Sequence, residues 1–108
     1  MPVYTIADRE SKELFPGATG RTFWGDQVLL NYLDLAPGCV VPLHSHPHEQ
    51  AGIVIEGELV FVIGDETHTV RAGDIFVIPG DVEHSVTVGD QPAKVLDIFS
   101  PVREEYKW

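Results

Sequence analysis

Apolar and polar residues alternate along most of the chain in short runs, a period of two that is typical of β-strands. Gly, Pro and Asp separate the runs at intervals that suit tight turns. No segment of convincing length follows the helical period. The sequence therefore predicts an all-β sandwich or barrel. The predicted strands are residues 3–6, 21–24, 27–35, 39–46, 50–55, 58–63, 67–71, 75–78, 84–88 and 93–99.

The chain has 108 residues, which suits one domain, and we expect a single domain over residues 1–108. Its core is expected at about residues 27–100. A short strand and loops form the preceding segment 1–26, with a loop at residues 16–20. The segment 101–108 is a polar tail that contains two aromatic residues.

The predicted strand 27–35 is apolar on both faces. One face carries Val28, Leu30 and Tyr32, whereas the other carries Leu29, Leu33 and Leu35. A strand of this kind is covered on both sides. The core covers one side. The other is covered either by a second copy of the chain, which would make a homodimer, or by the amino-terminal segment.

Composition excludes several classes of partner. The formal net charge of -10 argues against nucleic acid and anionic membrane surfaces, because both attract basic patches. No apolar run approaches the ~20 residues that span a bilayer, and no signal-peptide pattern opens the sequence. Cys39 is the one cysteine, so it has no intrachain disulfide partner, and we expect a small buried apolar residue there. A cytoplasmic protein is therefore expected.

Three of the five histidines lie within five residues, at His44, His46 and His48. Residues two apart in a strand project to the same face, so the rings of His44 and His46 are expected to reach one ion. Gln50 returns on the same parity at the start of the next strand. Imidazole suits zinc, copper, iron and nickel. The alternatives are solvent-facing loop histidines and, for Gln50, an ordinary amide.

A further histidine, His84, completes two stretches that resemble the two sequence motifs of the cupin superfamily. The first motif is matched with Gln50 where Glu is usual, at Gly38, His44, His46 and Gly57. The second is matched with Asp81 where Gly is usual and Val88 where a closing Asn is usual, at Gly73, Pro79 and His84. The resemblance implies a double-stranded β-helix, or jelly-roll barrel. It also implies one divalent transition metal (zinc, nickel, manganese or iron) held by His44, His46, Gln50 and His84.

An acid and an aromatic ring are expected beside this site. A turn at residues 89–92 would make a hairpin of the last two strands and place His84 opposite Asp97, with Phe99 on the same face. Asp97 would then either orient His84 or move a proton for a bound substrate. Arg103 is either a solvated tail residue or a clamp for a substrate carboxylate.

The segments HSHPHEQ (44–50) and DIFSPVREEY (97–106) resemble the small single-domain KdgF-like cupins, the pectin-degradation proteins. The resemblance implies that Asp97, Phe99 and Arg103 line the pocket beside the metal. The implied function is conversion of 4,5-unsaturated monouronates from pectin or alginate to linear keto-uronates, with a sugar acid as the small-molecule partner. The alternatives are an iron- or manganese-dependent dioxygenase and a non-catalytic cupin that binds a small molecule or a metal.

Overall fold

The computed structural model describes residues 3–108, and most of this part of the chain is strand. Its ten strands confirm the all-β prediction. The first five are β1 (Lys12–Phe15), β2 (Ala18–Trp24), β3 (Leu29–Leu35), β4 (Val40–His44) and β5 (Glu49–Glu56). The last five are β6 (Glu58–Ile63), β7 (Glu66–Arg71), β8 (Ile75–Ile78), β9 (His84–Val88) and β10 (Ala93–Ser100). Short 3-10 turns lie at Ile6–Asp8 and Glu104–Tyr106.

The strands form two antiparallel sheets packed into a jelly roll. One sheet has six strands in the order β1-β2-β3-β10-β5-β8, and the other has four in the order β4-β9-β6-β7. The buried apolar side chains of both sheets meet between them, so the core and any internal site share one space. Prominent members of this core are Leu35, Val54, Leu59, Phe61, Phe76, Ile78 and Val95. No helix in the described part of the chain combines the length and the apolar character needed to cross a membrane.

The amino-terminal prediction is wrong in two places. Residues 3–6 form no strand, because the chain there enters the 3-10 turn. In the segment predicted as a loop at 16–20, residues 16–17 form the turn of a hairpin between β1 and β2, with Gly17 at a φ of 83°, and residues 18–20 belong to β2. The small residues of this segment predicted a loop, but the strand requires a residue without a side chain at Gly20. A Cβ added at Gly20 would lie 2.5 Å from Oδ1 of Asn31, which fills the barrel there.

The hairpin predicted from the last two strands is also wrong. β9 pairs with β4 and β6 in the four-stranded sheet. β10 pairs with β3 and β5 in the six-stranded sheet. The turn at residues 89–92 therefore carries the chain from one sheet to the other. Neither strand lies at the edge of its sheet. His84 and Asp97 face each other across the barrel instead of along a ladder.

The outer face of the six-stranded sheet is largely apolar over β3, β10, β5 and β8, and Tyr4 of the amino-terminal segment covers Phe23 at its β2 side, with 5.1 Å between ring centroids. Aligned outward positions form two rows: Phe23, Leu30, Ile98, Ala51, Val77, and then Arg21, Tyr32, Leu96, Ile53, Ile75. Within them Ile75 is 73% exposed and Val77 is 59% exposed. The next row is charged, where Asp34 lies 3.4 Å from Arg21 and 3.9 Å from Lys94. The predicted second apolar face of β3 therefore belongs to a wider apolar surface.

Candidate metal centre

Three histidines meet inside one end of the barrel. His44 ends β4 and lies beside His84, the first residue of β9. His46 lies in the connection to β5, so it does not share a strand face with His44 as the sequence suggested. One ring nitrogen from each residue lies within 4.8 Å of the other two. The three imidazoles therefore converge, and the four-stranded sheet supplies two of them.

The backbone fixes the same tautomer in all three rings. Each Nδ1 donates to a carbonyl two residues away, at 2.8 Å to Pro42 for His44, 3.0 Å to His48 for His46 and 2.8 Å to Val82 for His84. A carbonyl oxygen only accepts, so the proton is on Nδ1. Each Nε2 then carries a free lone pair. This is the arrangement by which proteins orient imidazole ligands toward a metal.

The buried Nε2 of His84 is the first observation that indicates a cation site at these lone pairs. His84 is 2% exposed, and its Nε2 has no hydrogen-bond partner among the described residues. Desolvation by burial lowers the pKa of His84 to about 4, so the ring is neutral near pH 7. An unsatisfied buried acceptor costs about 1–3 kcal/mol. A divalent ion at this point would remove that cost.

Gln50 gives the second sign. Its Oε1 lies 3.0 Å from Nε2 of His46, and burial lowers the pKa of His46, which keeps that ring neutral. The contact therefore brings together two atoms that both present lone pairs. Ligand atoms about 2.1 Å from one ion lie roughly 3 Å apart when they occupy neighbouring positions. The donor set of three imidazoles and one amide oxygen fits a divalent metal ion.

The turn of the second motif holds His46 in place. Asp81 has a φ of 66°, a left-handed conformation that Asp tolerates better than most residues, which accounts for the Gly usual there in the motif. Its N–H donates to the carbonyl of His46 at 2.8 Å. Gly80 packs against Pro47 so closely that an added Cβ would lie 2.5 Å from the Pro47 oxygen. The two motifs therefore build one site through backbone contacts.

Asp97 lies on the opposite wall, from the six-stranded sheet. It is 6% exposed, and desolvation raises the pKa of its carboxyl to about 7, although the Gln50 amide and the Arg103 charge both act to lower it. The side chain is thus near the midpoint of its titration at neutral pH. Its contact with Gln50 also favours the amide orientation that turns Oε1 toward His46. Nδ1 of His84 donates to Val82, so the side chain that Asp97 contacts and orients is Gln50 and not His84 as predicted.

Arg103 is buried rather than solvated, at 9% exposure, which excludes the solvated-tail alternative. Its guanidinium carbon lies 4.1 Å from the ring centroid of Tyr106 and 5.2 Å from that of Phe99. Its Nε donates to Glu105 at 3.1 Å, which leaves the terminal nitrogens for other acceptors. Phe99 also contacts the ring of His46 edge-on, at 5.5 Å between centroids. The tail therefore folds over the site.

These groups line a cavity that is partly open to solvent. Polar residues line one end, namely Asn31, His44, Gln50, His84, Asp97 and Arg103. Mostly apolar side chains line the rest, among them Leu33, Leu35, Val41, Phe61, Val86 and Val95. The sequence interpretation missed Asn31 and Tyr106. Asn31 is a polar interruption on the apolar face of β3, which is a signal that was present in the sequence.

Comparison with known proteins agrees with this architecture. Residues 31–99, more than half of the chain, match the family model for the cupin domain. The chain belongs to the cupin family. No curated protein sequence gives a significant match. The family and the site together make the protein a cupin whose histidine cluster fits a divalent metal.

Several solved structures share this cupin fold. An RmlC-like cupin from Shewanella frigidimarina has a TM-score of 0.91 at 22% identity, with 98% of this chain and 96% of that chain covered. KdgF from a Halomonas species has a TM-score of 0.88 at 23% identity, with 94% of each chain covered. The polyketide cyclase RemF from Streptomyces resistomycificus has a TM-score of 0.81 at 25% identity, with 93% of this chain and 79% of that chain covered.

Proposed function

We propose that this cupin is a metal-dependent enzyme that opens 4,5-unsaturated monouronates to linear keto-uronates. The observation that carries the proposal is the pairing, in one cavity, of a metal-fitting donor set with an acid and a guanidinium. Asp97 and Arg103 both line the cavity that the histidines enter. The similar fold of a Halomonas KdgF supports the same reading.

The reaction adds a proton to one carbon and removes a proton from one hydroxyl oxygen. In the substrate, C4 is the enol-ether carbon and the ring oxygen joins C5 to C1. A proton adds to C4, a proton leaves the C1 hydroxyl, and the bond from C1 to the ring oxygen breaks. The ring oxygen becomes the C5 ketone and C1 becomes an aldehyde. The product is an isomer of the substrate, so no oxidant or reductant is consumed.

Three side chains of the protein have separate proposed roles in this reaction. Asp97 is the proposed proton carrier, because it is the carboxyl on the wall opposite the histidines. Arg103 is the proposed partner of the substrate carboxylate through its terminal nitrogens, since Glu105 occupies its Nε. Phe99 shapes the wall beside His46 and helps exclude water. A divalent metal held by His44, His46, Gln50 and His84 would supply Lewis-acid polarisation of a substrate oxygen.

The direct test adds monomeric unsaturated uronate to the protein after loading with zinc, nickel, manganese or iron in separate samples. The expected result is faster loss of the absorbance of the conjugated double bond in at least one sample, and a rate near the uncatalysed decay after chelation. Oxygen uptake is followed in the iron and manganese samples. If every loaded sample matches the uncatalysed decay, the proposal is wrong. Substrate-linked oxygen uptake would instead identify a dioxygenase.

We also propose that two copies of this cupin associate through the outer face of the six-stranded sheet. One apolar row there crosses five strands and the other four, and five strands span roughly 19 Å at the usual strand spacing. A charged row that contains Asp34 and Lys94 borders them. An apolar centre with a polar border is the usual anatomy of a homodimer interface. A second copy presents the same apolar surface. Away from this surface, the net charge of -10 makes two copies of the chain repel each other.

Two exposed valines provide a matched test of this association. Val77→Lys places a charge within the apolar rows, whereas Val40→Lys places one on the outer face of the other sheet, where Val40 is 54% exposed. The wild type and Val40→Lys are expected to sediment at twice the monomer mass, and Val77→Lys at the monomer mass. A wild type that sediments as a monomer at tens of micromolar would rule out the dimer.

A further inference from the structure

Asn31 is a buried polar side chain that the proposed reaction does not use. It lies in the middle of β3, is 1% exposed and lines the cavity beside the histidines. Its Oδ1 has no hydrogen-bond partner among residues 3–108. Buried side-chain acceptors are nearly always satisfied, and an unsatisfied one costs about 1–3 kcal/mol. The position therefore carries a cost that an apolar residue would avoid.

The neighbours of Asn31 show why its carbonyl is free. The register of the sheet places Thr22 on one side of Asn31 and Asp97 on the other. The Thr22 hydroxyl donates to the Tyr106 carbonyl at 2.6 Å, so it is already used. Directly opposed residues on one face lie about 5 Å apart at Cβ. Asn31 and Asp97 are therefore close enough for one sugar-sized molecule to contact both.

The barrel also makes room for this amide. Gly20 lies on the neighbouring strand, and a Cβ there would approach Oδ1 of Asn31 to 2.5 Å and Leu14 to 3.1 Å. Further along the same inward face of β3, Leu33 and Leu35 fill the space with apolar atoms. The chain thus keeps a polar group at the one position of this face that adjoins the acid, and keeps the adjacent position without a side chain.

We propose that the side-chain amide of Asn31 hydrogen-bonds a ligand hydroxyl on a carbon next to the one that Asp97 reaches, and so selects hydroxylated acids over acids of the same shape without hydroxyls. The proposal rests on the proposed function only for the identity of the acid as a uronate. A site that hydrogen-bonds a hydroxyl discriminates strongly against the analogue that lacks it, because its own polar group is then left unpaired.

The test compares two ring acids that the enzyme does not convert. Galacturonate carries the hydroxyls, and tetrahydropyran-2-carboxylate has the same ring and carboxylate without them. Dissociation constants are measured by calorimetry on metal-loaded wild type, Asn31→Leu and the control Leu33→Met, which changes a neighbouring inward residue without removing a polar atom. Asn31→Leu is expected to weaken galacturonate binding about ten- to fiftyfold and to change tetrahydropyran-2-carboxylate binding by no more than about twofold. Leu33→Met is expected to change both affinities by similar factors.

A second readout separates recognition from a structural role. Asn31→Leu removes an unsatisfied buried acceptor, so the metal-free variant is expected to melt several degrees above wild type. A structural role would lower the melting temperature and weaken both ligands equally, which would overturn the proposal. Asn31→Val is measured in parallel, because its smaller β-branched side chain suits a strand if leucine is too large.

The two proposals fail in different ways. If wild type converts unsaturated uronates but Asn31→Leu still prefers galacturonate by the wild-type ratio, the inference about Asn31 is wrong and the function stands. If wild type is inactive on uronates but loses its preference for galacturonate in Asn31→Leu, the inference stands and the reaction is wrong. If wild type binds neither acid more tightly than the other, the inference is overturned.

Discussion

Replacing Asp97 with asparagine is expected to lower turnover strongly and, at the same time, to stabilise the metal-free protein at pH 8. The expected loss in turnover is about a hundred- to ten-thousandfold, the usual contribution of a positioned proton carrier. Asparagine keeps the shape and hydrogen-bonding capacity of the side chain but has no proton to exchange. Turnover is measured on metal-loaded protein with unsaturated uronate. A variant within about threefold of wild type would remove Asp97 from the proton transfer.

The stability effect follows from the sign of the pKa shift. Burial raises the pKa of Asp97 from an ordinary value of 3.8 to about 7. The contribution of this carboxyl to stability is therefore fully present below pH 3.8 and is lost as the pH rises through about 7. At pH 8 the buried carboxylate destabilises the fold by roughly 2–4 kcal/mol, which Asp97→Asn removes. Thermal melts are expected to show the variant several degrees higher at pH 8 and less than half as much higher at pH 5, where only part of the loss has occurred. Equal differences at both pH values would contradict the assigned shift.

Replacing His84 with alanine is expected to lower the affinity for a divalent ion by at least about a hundredfold. The residue supplies the most buried of the three convergent nitrogens, and its removal leaves two imidazoles and an amide. Loss of an orienting partner alone costs 10–100-fold in many metal sites, so loss of a ligand is expected to cost more. Metal content after dialysis and direct titration with zinc, nickel, manganese and iron provide the measurement.

His68→Ala is the matched control for this change. His68 lies on the four-stranded sheet like His84, but its Nε2 contacts Glu66 at 3.0 Å on the exposed edge strand. Its removal is expected to leave metal binding within about twofold of wild type. Loading also stabilises a protein that binds the ion only when folded. The rise in melting temperature on loading should therefore persist in His68→Ala and vanish in His84→Ala. A rise that persists in both variants would place the ion elsewhere.

The sequence predicted the strands well where polar and apolar residues alternate between clear turns. The bounds of β6, β8 and β9 match the predictions residue for residue. It failed at the start of β2, because Gly20 is small for reasons of space in the barrel interior, and small residues also signal loops. It also failed to assign β9 and β10 to different sheets. Two adjacent strands joined by a short turn usually pair, and only the long-range pairing partners decide otherwise.

The candidate site was predictable to the extent that motif spacing carries it. His44, His46, Gln50 and His84 come together, and Asp97, Phe99 and Arg103 line the same cavity. The arguments from strand parity and hairpin register were nevertheless wrong, since His46 lies in a loop and Asp97 faces His84 from the other sheet. Asn31 could not be assigned a role from sequence. Its role depends on the hydroxyl of Thr22 donating to Tyr106 and not to Asn31, and only the packing of the folded chain determines this.

The convergent side chains come from both layers of the jelly roll: His44 and His84 belong to one sheet, and Gln50 to the other. An ion bound to all of them would crosslink the two sheets. Separating the sheets would then require breaking coordination bonds as well as exposing the core. A bound metal would therefore lengthen the lifetime of the folded chain, and metal-free molecules would be the first to be degraded.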